Sequence, residues 1–476
     1  MDKDRRLAFL VLKDIEENGR WANLALGAAL SKEKAANPAF VRELVYGVLR
    51  NQKLLDYNIA RFLKKPKLSV NERLLFRMGF YQLALMDGVA DHAAINETVA
   101  IAAAFMKGRQ GFINAVLRSF QRDGKRLLDD GPLTRWSCAK WIADLWTAQY
   151  GADKAEALMQ ASCTPAPLTI RANLARISRA DLKAALESGF DVKDTALSDR
   201  CLEVKGSGLL DTQLYKQGYF SVQGEASCCA VDQLLADLST RQFSAPAAQQ
   251  LNTPAAQQPR PLIVDLCAAP GGKSCAAAEL LATKQNSAPG RVLSFDLYPH
   301  RVELIEKEAK RLGLGSVITA SPADTQQPLP ELFGRADYVI ADVPCSGLGT
   351  LRRDPEIKLR ERTPAESAKA LEELTKIQYN ILINALRIVK PGGRVAYSTC
   401  TVNKAENGDL VRKVLADIAG QAAGNTSQGS QAIGAQASSA PTQAAKRFAI
   451  VSEIQLFQTE GGPDGFYICV IATEPL

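Results

Sequence analysis

The chain has 476 residues, 46% hydrophobic and 23% charged, with a formal net charge of +7. That length and balance describe a soluble globular protein of two or three domains, and no apolar run approaches the roughly 18 to 20 residues that a membrane-spanning helix needs. Ten cysteines without a repeated spacing and only two histidines, His92 and His300, argue against a disulfide framework and against a structural zinc site.

The start, MDKDRRLAFL, is acidic where a signal peptide would be basic and then apolar, so a cytoplasmic location is expected. Residues 1–130 hold 22 Lys+Arg against 15 Asp+Glu, while the remainder is balanced at 36 against 36. The whole positive excess therefore sits at the front, where it suits contact with a polyanion. The segments RRLAFLVLKDIEENG, ELVYGVLRNQKLLDYNIARFL, SVNERLLFRMGFYQLALM and NETVAIAAAF carry apolar residues at helical spacing, which predicts a helical bundle. Through RELVYGVLRN (42–51), RLLFRMGFYQL (73–83), AINETVAIA (94–102) and FINAVLR (112–118), this stretch resembles the NusB-type RNA-binding domain.

Residues 131–225 are mixed. LTIRANLARISRADLKAALESGF reads as a strand and then a helix, and KGSGLL and GYFSVQGEAS as short strands and turns, so a small α/β connector is expected. Within it Arg171, Asn173 and Gln223 are candidates to face RNA. Two low-complexity segments, 239–260 (rich in Ala, Gln and Pro) and 419–445 (without a charged residue), lack the composition for a packed core and read as flexible surface insertions.

The segment PLIVDLCAAPGGKS is an apolar strand, a small-residue turn and a helix start, a shape that lets backbone amides approach a ligand closely. It is not a Walker loop, because Cys267 stands where the first glycine is required, and it lacks the G-x-G-x-x-G of a dinucleotide site. S-adenosylmethionine, which brings a ribose and no phosphate, is the remaining option. Asp296, ending the strand RVLSFD, is placed to accept ribose hydroxyls, and Asp324, after SVITASPA, to lie near the adenine edge.

Cys345 in YVIADVPCSG and Cys400 in GGRVAYSTCT each follow an apolar strand, and the segment between them carries Leu374, Ile377, Ile381, Ala385 and Ile388 on one helical face. Strand, crossover helix and strand make parallel neighbours about 4.8 Å apart, so both thiols can reach one cleft and covalent chemistry is suggested. From spacing alone either thiol can be the nucleophile. Lys358 with Arg352 or Arg353, in LRRDPEIKLR, are candidates to grip an RNA backbone.

With DLCAAPGGK, ADVPCSG, KPGGRVAYSTCT and GPDGFYICVI, the chain resembles the RNA cytosine-C5 methyltransferases, and the NusB-like front narrows the resemblance to the Sun/Fmu (RsmB) branch, which acts on bacterial 16S ribosomal RNA. The resemblance implies a NusB-like domain over 1–130, an RNA-binding connector over 131–225 and a Rossmann-like methyltransferase domain over 226–476. It implies S-adenosylmethionine held by Cys267, Ala268, Ala269, Pro270, Gly271, Gly272 and Lys273 together with Asp296, Asp324 and Asp342. Cys400 is then the nucleophile and Cys345 the thiol that assists release; Asp342, from its position at the end of its strand, is in addition expected to hold a proton at ring nitrogen 3 of the cytosine or to receive its exocyclic amine. Small-subunit precursor RNA is the implied partner, with no metal, no membrane and a monomeric enzyme. The segment SPADTQQ lacks the glycine that commonly follows the aspartate, which makes Asp324 the weakest of these assignments. The competing reading is a non-catalytic ribosome-assembly factor that uses the bundle alone.

Overall fold

The amphipathic segments at the front of the chain form seven helices in the computed structural model: Lys3–Asn18, Ala22–Lys32, Pro38–Arg50, Gln52–Ala60, Val70–Ala84, Asp91–Phe105 and Gln110–Arg122. Their starts are set locally. Asp2 accepts the amide of Arg5, and Ser69 with Glu72 forms a reciprocal capping box, which satisfies donors that a first helical turn leaves open. The apolar faces share one core, with Phe9, Leu44, Val48, Leu75, Phe76, Phe80 and Leu117 buried and Phe80 stacked on Phe120 at 3.9 Å. A side chain at Gly47 would overlap the Tyr81 ring, so this glycine permits the close crossing of two helices.

The structure describes residues 1–33, 35–64, 67–241, 260–284, 290–427 and 447–474, so the insertions expected over 239–260 and 419–445 lie largely outside the described residues. The chain divides into two compact units, Met1–Ala166 with Thr350–Ser367 and Gln458–Gly462, and Pro167–Gly349 with Ala368–Phe457 and Pro463–Leu476. The helices Lys140–Tyr150 and Ala152–Ala161, which the sequence reading groups with the connector, fall in the first unit. Among the described residues no helix is long and apolar enough to cross a membrane.

Two cations expected to grip RNA are instead buried within the first unit. Arg352 donates to the carbonyls of Thr459 (3.1 Å) and Gly462 (2.5 Å), and Lys358 donates to Trp136 O (3.0 Å) and Ser162 Oγ (3.1 Å). Both are fully buried, and Arg353 is half-buried. Charged residues in a loop read as solvated, but here they satisfy carbonyls that would otherwise be buried without a partner.

The second unit contains two sheets. Strands β1 (Thr169–Ala172), β2 (Asp191–Asp194), β3 (Cys201–Lys205) and β4 (Phe220–Val222) form an antiparallel sheet in the order β2-β3-β1-β4. KGSGLL is the turn after β3 rather than a strand of its own. The larger sheet contains β5 (Leu262–Asp265), β6 (Arg291–Asp296), β7 (Ile318–Pro322), β8 (Ala336–Asp342), β9 (Val389–Thr399), β10 (Phe448–Leu456) and β11 (Phe466–Thr473), in the order β10-β11-β9-β8-β5-β6-β7. From β7 through β9 the neighbours are parallel, while β11 and β10 close the sheet as antiparallel edge strands. Helix Gly272–Lys284 packs on one face and helices Pro364–Ile388 and Gly408–Ser427 on the other. The connections run outward in opposite directions from β5 and β8, and the crevice beyond their carboxyl ends is where such sheets bind ligands.

Arg171, Asn173 and Gln223, expected to face RNA, are buried within this unit. Arg171 makes a two-pronged ion pair with Glu279 (2.7 and 2.9 Å), both side chains fully buried, and donates to Gln223 and to the Gly272 carbonyl (2.9 Å). Asn173 donates to the carbonyls of Gly218 and Leu312. Arg171 thereby braces the helix that follows the glycine turn, and Asn173 the end of the helix Pro299–Leu312. Arg171→Met leaves Glu279 with only the longer pairing to Arg200 at 3.8 Å and is expected to cost about 3 kcal/mol in a denaturant melt, with the Arg171→Met/Glu279→Met double variant recovering part of it.

Candidate active site

Each residue singled out by the strand-end argument belongs to a loop at the carboxyl edge of the large sheet. The turn 267–273 follows β5, Asp296 ends β6, Asp324 follows β7, Asp342 ends β8 and Cys400 follows β9. Cys267, Ala269, Asp296, Asp324, Asp342, Cys345 and Cys400 line one cleft of about 420 Å³, together with Leu297, Tyr298, Arg301, Thr325, Ile377 and Ile381. Ala268, Pro270, Gly271, Gly272 and Lys273 are not among its lining residues. They shape the turn: Gly271 has φ +108°, and a side chain there would press on the backbone of Ile305.

The carboxylates are held from behind. Asp296, 4% exposed, accepts the amides of Ala269 and Tyr298 (both 3.3 Å) and pairs with Arg301 at 3.5 Å. Parallel register sets Asp342 beside Ser398, whose hydroxyl donates to one carboxylate oxygen at 2.7 Å. Lys273 donates to the other at 2.7 Å, lies 5.3 Å from the Phe466 ring and also donates to Ser227. The lysine of the glycine turn is thus committed to Asp342. A cleft with three carboxylates, apolar walls, an arginine paired with Asp296 and this lysine already engaged suits a ribose and a cationic sulfonium, and it opposes a polyphosphate.

Beneath the turn, Asp265 is fully buried, with one oxygen accepting from Ser274 (2.7 Å) and the other without a hydrogen bond. Burial, reinforced by the Asp342 charge and opposed by the Ser274 bond, pushes its carboxyl up to about 7. A carboxyl raised in the folded state favours folding while protonated and loses that contribution as pH rises through its folded value. Stability of this unit is therefore expected to fall between about pH 4 and pH 7 through Asp265. Melting curves of Asp265→Asn should be flatter across that window.

The Sγ atoms of Cys345 and Cys400 are 3.2 Å apart, and both residues are half-buried. The hydrogen bond between them, then burial, then the negative charge of Cys400 and Glu406 push the Cys345 thiol well above its usual range. The Cys267 thiol packs against the apolar core with Thr325 Oγ1 3.9 Å away, and burial raises it. Tyr298, Arg301, Ser398 and Glu406 were not singled out from the sequence. Tyr298 and Arg301 follow the β6 aspartate within one helical turn, a position that could have been inspected, whereas Ser398 and Glu406 leave no spacing signal. Among the described residues no group of three or more His, Cys, Asp or Glu side chains is arranged to hold a metal ion.

Comparison with known proteins agrees across the chain. Residues 252–472 match the family model for 16S rRNA methyltransferase RsmB/F, residues 2–122 the NusB family and residues 138–209 the ferredoxin-like domain of RsmF/B-like methyltransferases. The chain is 32% identical to the probable ribosomal RNA small subunit methyltransferase B of Bacillus subtilis (strain 168), over 86% of this chain and 88% of that one. It is likewise 32% identical to the protein of the same description from Synechocystis sp., over 87% and 89%. Among solved structures, PH0851 superposes with a TM-score of 0.70 at 20% identity, covering 99% of both chains. A methyltransferase homolog protein from Pyrococcus horikoshii superposes with a TM-score of 0.50 at 20% identity, covering 72% of this chain and 97% of that one.

Proposed function

This chain belongs to the RsmB-type family of small-subunit ribosomal RNA methyltransferases, and from that premise we propose that it methylates carbon 5 of a cytosine in 16S ribosomal RNA through a covalent cysteine adduct. The observation that carries the reading is the pair of thiols, 3.2 Å apart, in the cleft that Asp342 also lines.

Carbon 5 of cytosine is a weak nucleophile, and addition of the Cys400 thiolate at carbon 6 places electron density on it. Asp342, oriented by Lys273 and Ser398, holds a proton at ring nitrogen 3 or accepts from the exocyclic amine, so that the negative charge pushed into the ring by addition is met by a proton rather than left bare. When bound, S-adenosylmethionine supplies the electrophilic methyl that the activated carbon 5 takes. Cys345 then assists release: solvent water takes the carbon 5 proton, the C–H electron pair restores the ring double bond, and the bond from Cys400 sulfur to carbon 6 breaks to expel a thiolate that the protonated Cys345 thiol hydrogen-bonds. Asp296 holds the methyl donor together with Cys267 and Ala269, the turn residues that line the cleft, while the rest of the turn 267–273 sets its shape; Asp324 lies at the adenine end, and Cys267 takes no covalent part. The target base must be unpaired or turned out of its stack to enter the cleft. The basic amino-terminal region supplies phosphate contacts to precursor RNA, and the enzyme acts as a cytoplasmic monomer.

The test is to incubate the protein with labelled methyl donor and unmethylated 16S ribosomal RNA and digest to nucleosides. Label in 5-methylcytidine is the expected result. Tight RNA binding with no transfer would favour the assembly-factor reading.

A further inference from the structure

We propose that Glu406 is the positioning residue of this site, its buried carboxylate tying the loop that bears Cys345 to the loop that bears Cys400 and so setting the spacing of the two thiols. This rests on the roles given to those thiols above.

Glu406 is fully buried in the short turn Lys404–Glu406, six residues past Cys400. One carboxylate oxygen accepts the Ser346 amide (2.8 Å) and Gln378 Nε2 (3.0 Å), and the other accepts Ser346 Oγ (2.5 Å) and Asn403 Nδ2 (3.0 Å). Gln378 also donates to the carbonyl of Pro344 (2.9 Å), so the residues on both sides of Cys345 are fixed through this one carboxylate. On the other side, Ser346 Oγ lies 2.9 Å from Thr401 Oγ1, beside Cys400, and Tyr397 donates to the Glu406 carbonyl at 2.6 Å. Two loops on different strands thus converge on one buried anion. An ionised acceptor makes stronger hydrogen bonds than a neutral one, and burial strengthens them further. Its charge also contributes to keeping the Cys345 thiol protonated while Cys400 acts.

The experiment compares wild type with Glu406→Gln, Glu406→Asp and Ser346→Ala in three readouts: steady-state methylation, calorimetric binding of S-adenosylmethionine, and peptide-resolved iodoacetamide labelling of Cys345 and Cys400 against pH. Glu406→Gln keeps the volume but turns an amide toward donors. It is expected to lower kcat about 100-fold with donor affinity within about twofold of wild type, and to raise the labelling rate of Cys345 at pH 8 about tenfold. Glu406→Asp restores part of both, and Ser346→Ala, which removes the Oγ contacts to Glu406 and Thr401 at a half-buried site but keeps the amide bond to Glu406, shifts both in the same direction by a smaller factor. Wild-type kcat and labelling in Glu406→Gln overturn the proposal. So does a loss of donor binding in step with kcat, which marks a merely structural role. If Glu406→Gln does not fold, Ser346→Ala decides on the same readouts. Labelling needs no RNA, so a wild type that labels as expected but forms no 5-methylcytidine refutes the cytosine reading and leaves Glu406 judged separately.

Discussion

Cys400→Ala is expected to lower kcat by about four orders of magnitude or more while S-adenosylmethionine binds as in wild type. The split follows from where the residue lies. Cys400 is in the loop after β9, 3.2 Å from Cys345, whereas the groups proposed to hold the donor are on the loops after β5, β6 and β7. Alanine also removes a half-buried side chain of modest volume, so the fold should tolerate it. Cys345 is a poor substitute for the lost thiol: with the Cys400 contribution gone, burial and the Glu406 charge still push it toward the protonated form, and only the thiolate adds to carbon 6. Stopped-flow or quench measurement of transfer, with calorimetry for the donor, checks both halves. Appreciable turnover in Cys400→Ala would mean that Cys345 is the nucleophile, as in enzymes that use a Pro-Cys cysteine.

Asp342→Asn should lower kcat about 10²- to 10³-fold, the usual loss when a preorganised polar group aimed at developing charge is removed. The side chain keeps its shape and can still accept from Ser398, but the charge that orients Lys273 at 2.7 Å is gone. The lysine, buried against Phe466, is left with Ser227 as its remaining close partner among those described. A rate loss with an RNA binding constant near that of wild type separates this role from substrate docking. Equal losses in kcat/KM and in RNA affinity would instead assign Asp342 to binding.

Most of the site was legible because it lies where chain punctuation is strongest. An apolar strand followed by small or reactive residues marks the carboxyl end of a strand, and five such ends recur in order from Leu266 to Cys400. Five parallel strands then bring those ends to one edge. The amino-terminal helices were legible for a similar reason, since their buried faces repeat over several turns. What escaped was polar residues doing structural work. Strands β2 and β3 are only four and five residues long, so DVKD and CLEVK hold too few repeats of their alternation to stand out as strands. Arg171, Arg352 and Lys358 look like RNA contacts until their partners, a buried carboxylate and several carbonyls, are known. Those partners lie more than 100 residues away in the chain, and no local pattern reports them. Glu406 escaped for the same reason, since its meaning depends on Ser346 and Gln378 arriving from other elements.

The most direct test of the two-thiol account is to incubate Cys345→Ala with methyl donor and 16S ribosomal RNA, isolate the protein under denaturing conditions, and map any cross-linked peptide by mass spectrometry. The account predicts a stable protein–RNA adduct through Cys400 that carries a methylated cytosine, because addition and transfer proceed while release is impaired. An adduct absent from Cys345→Ala but formed by Cys400→Ala would contradict it, reversing the roles of the two thiols.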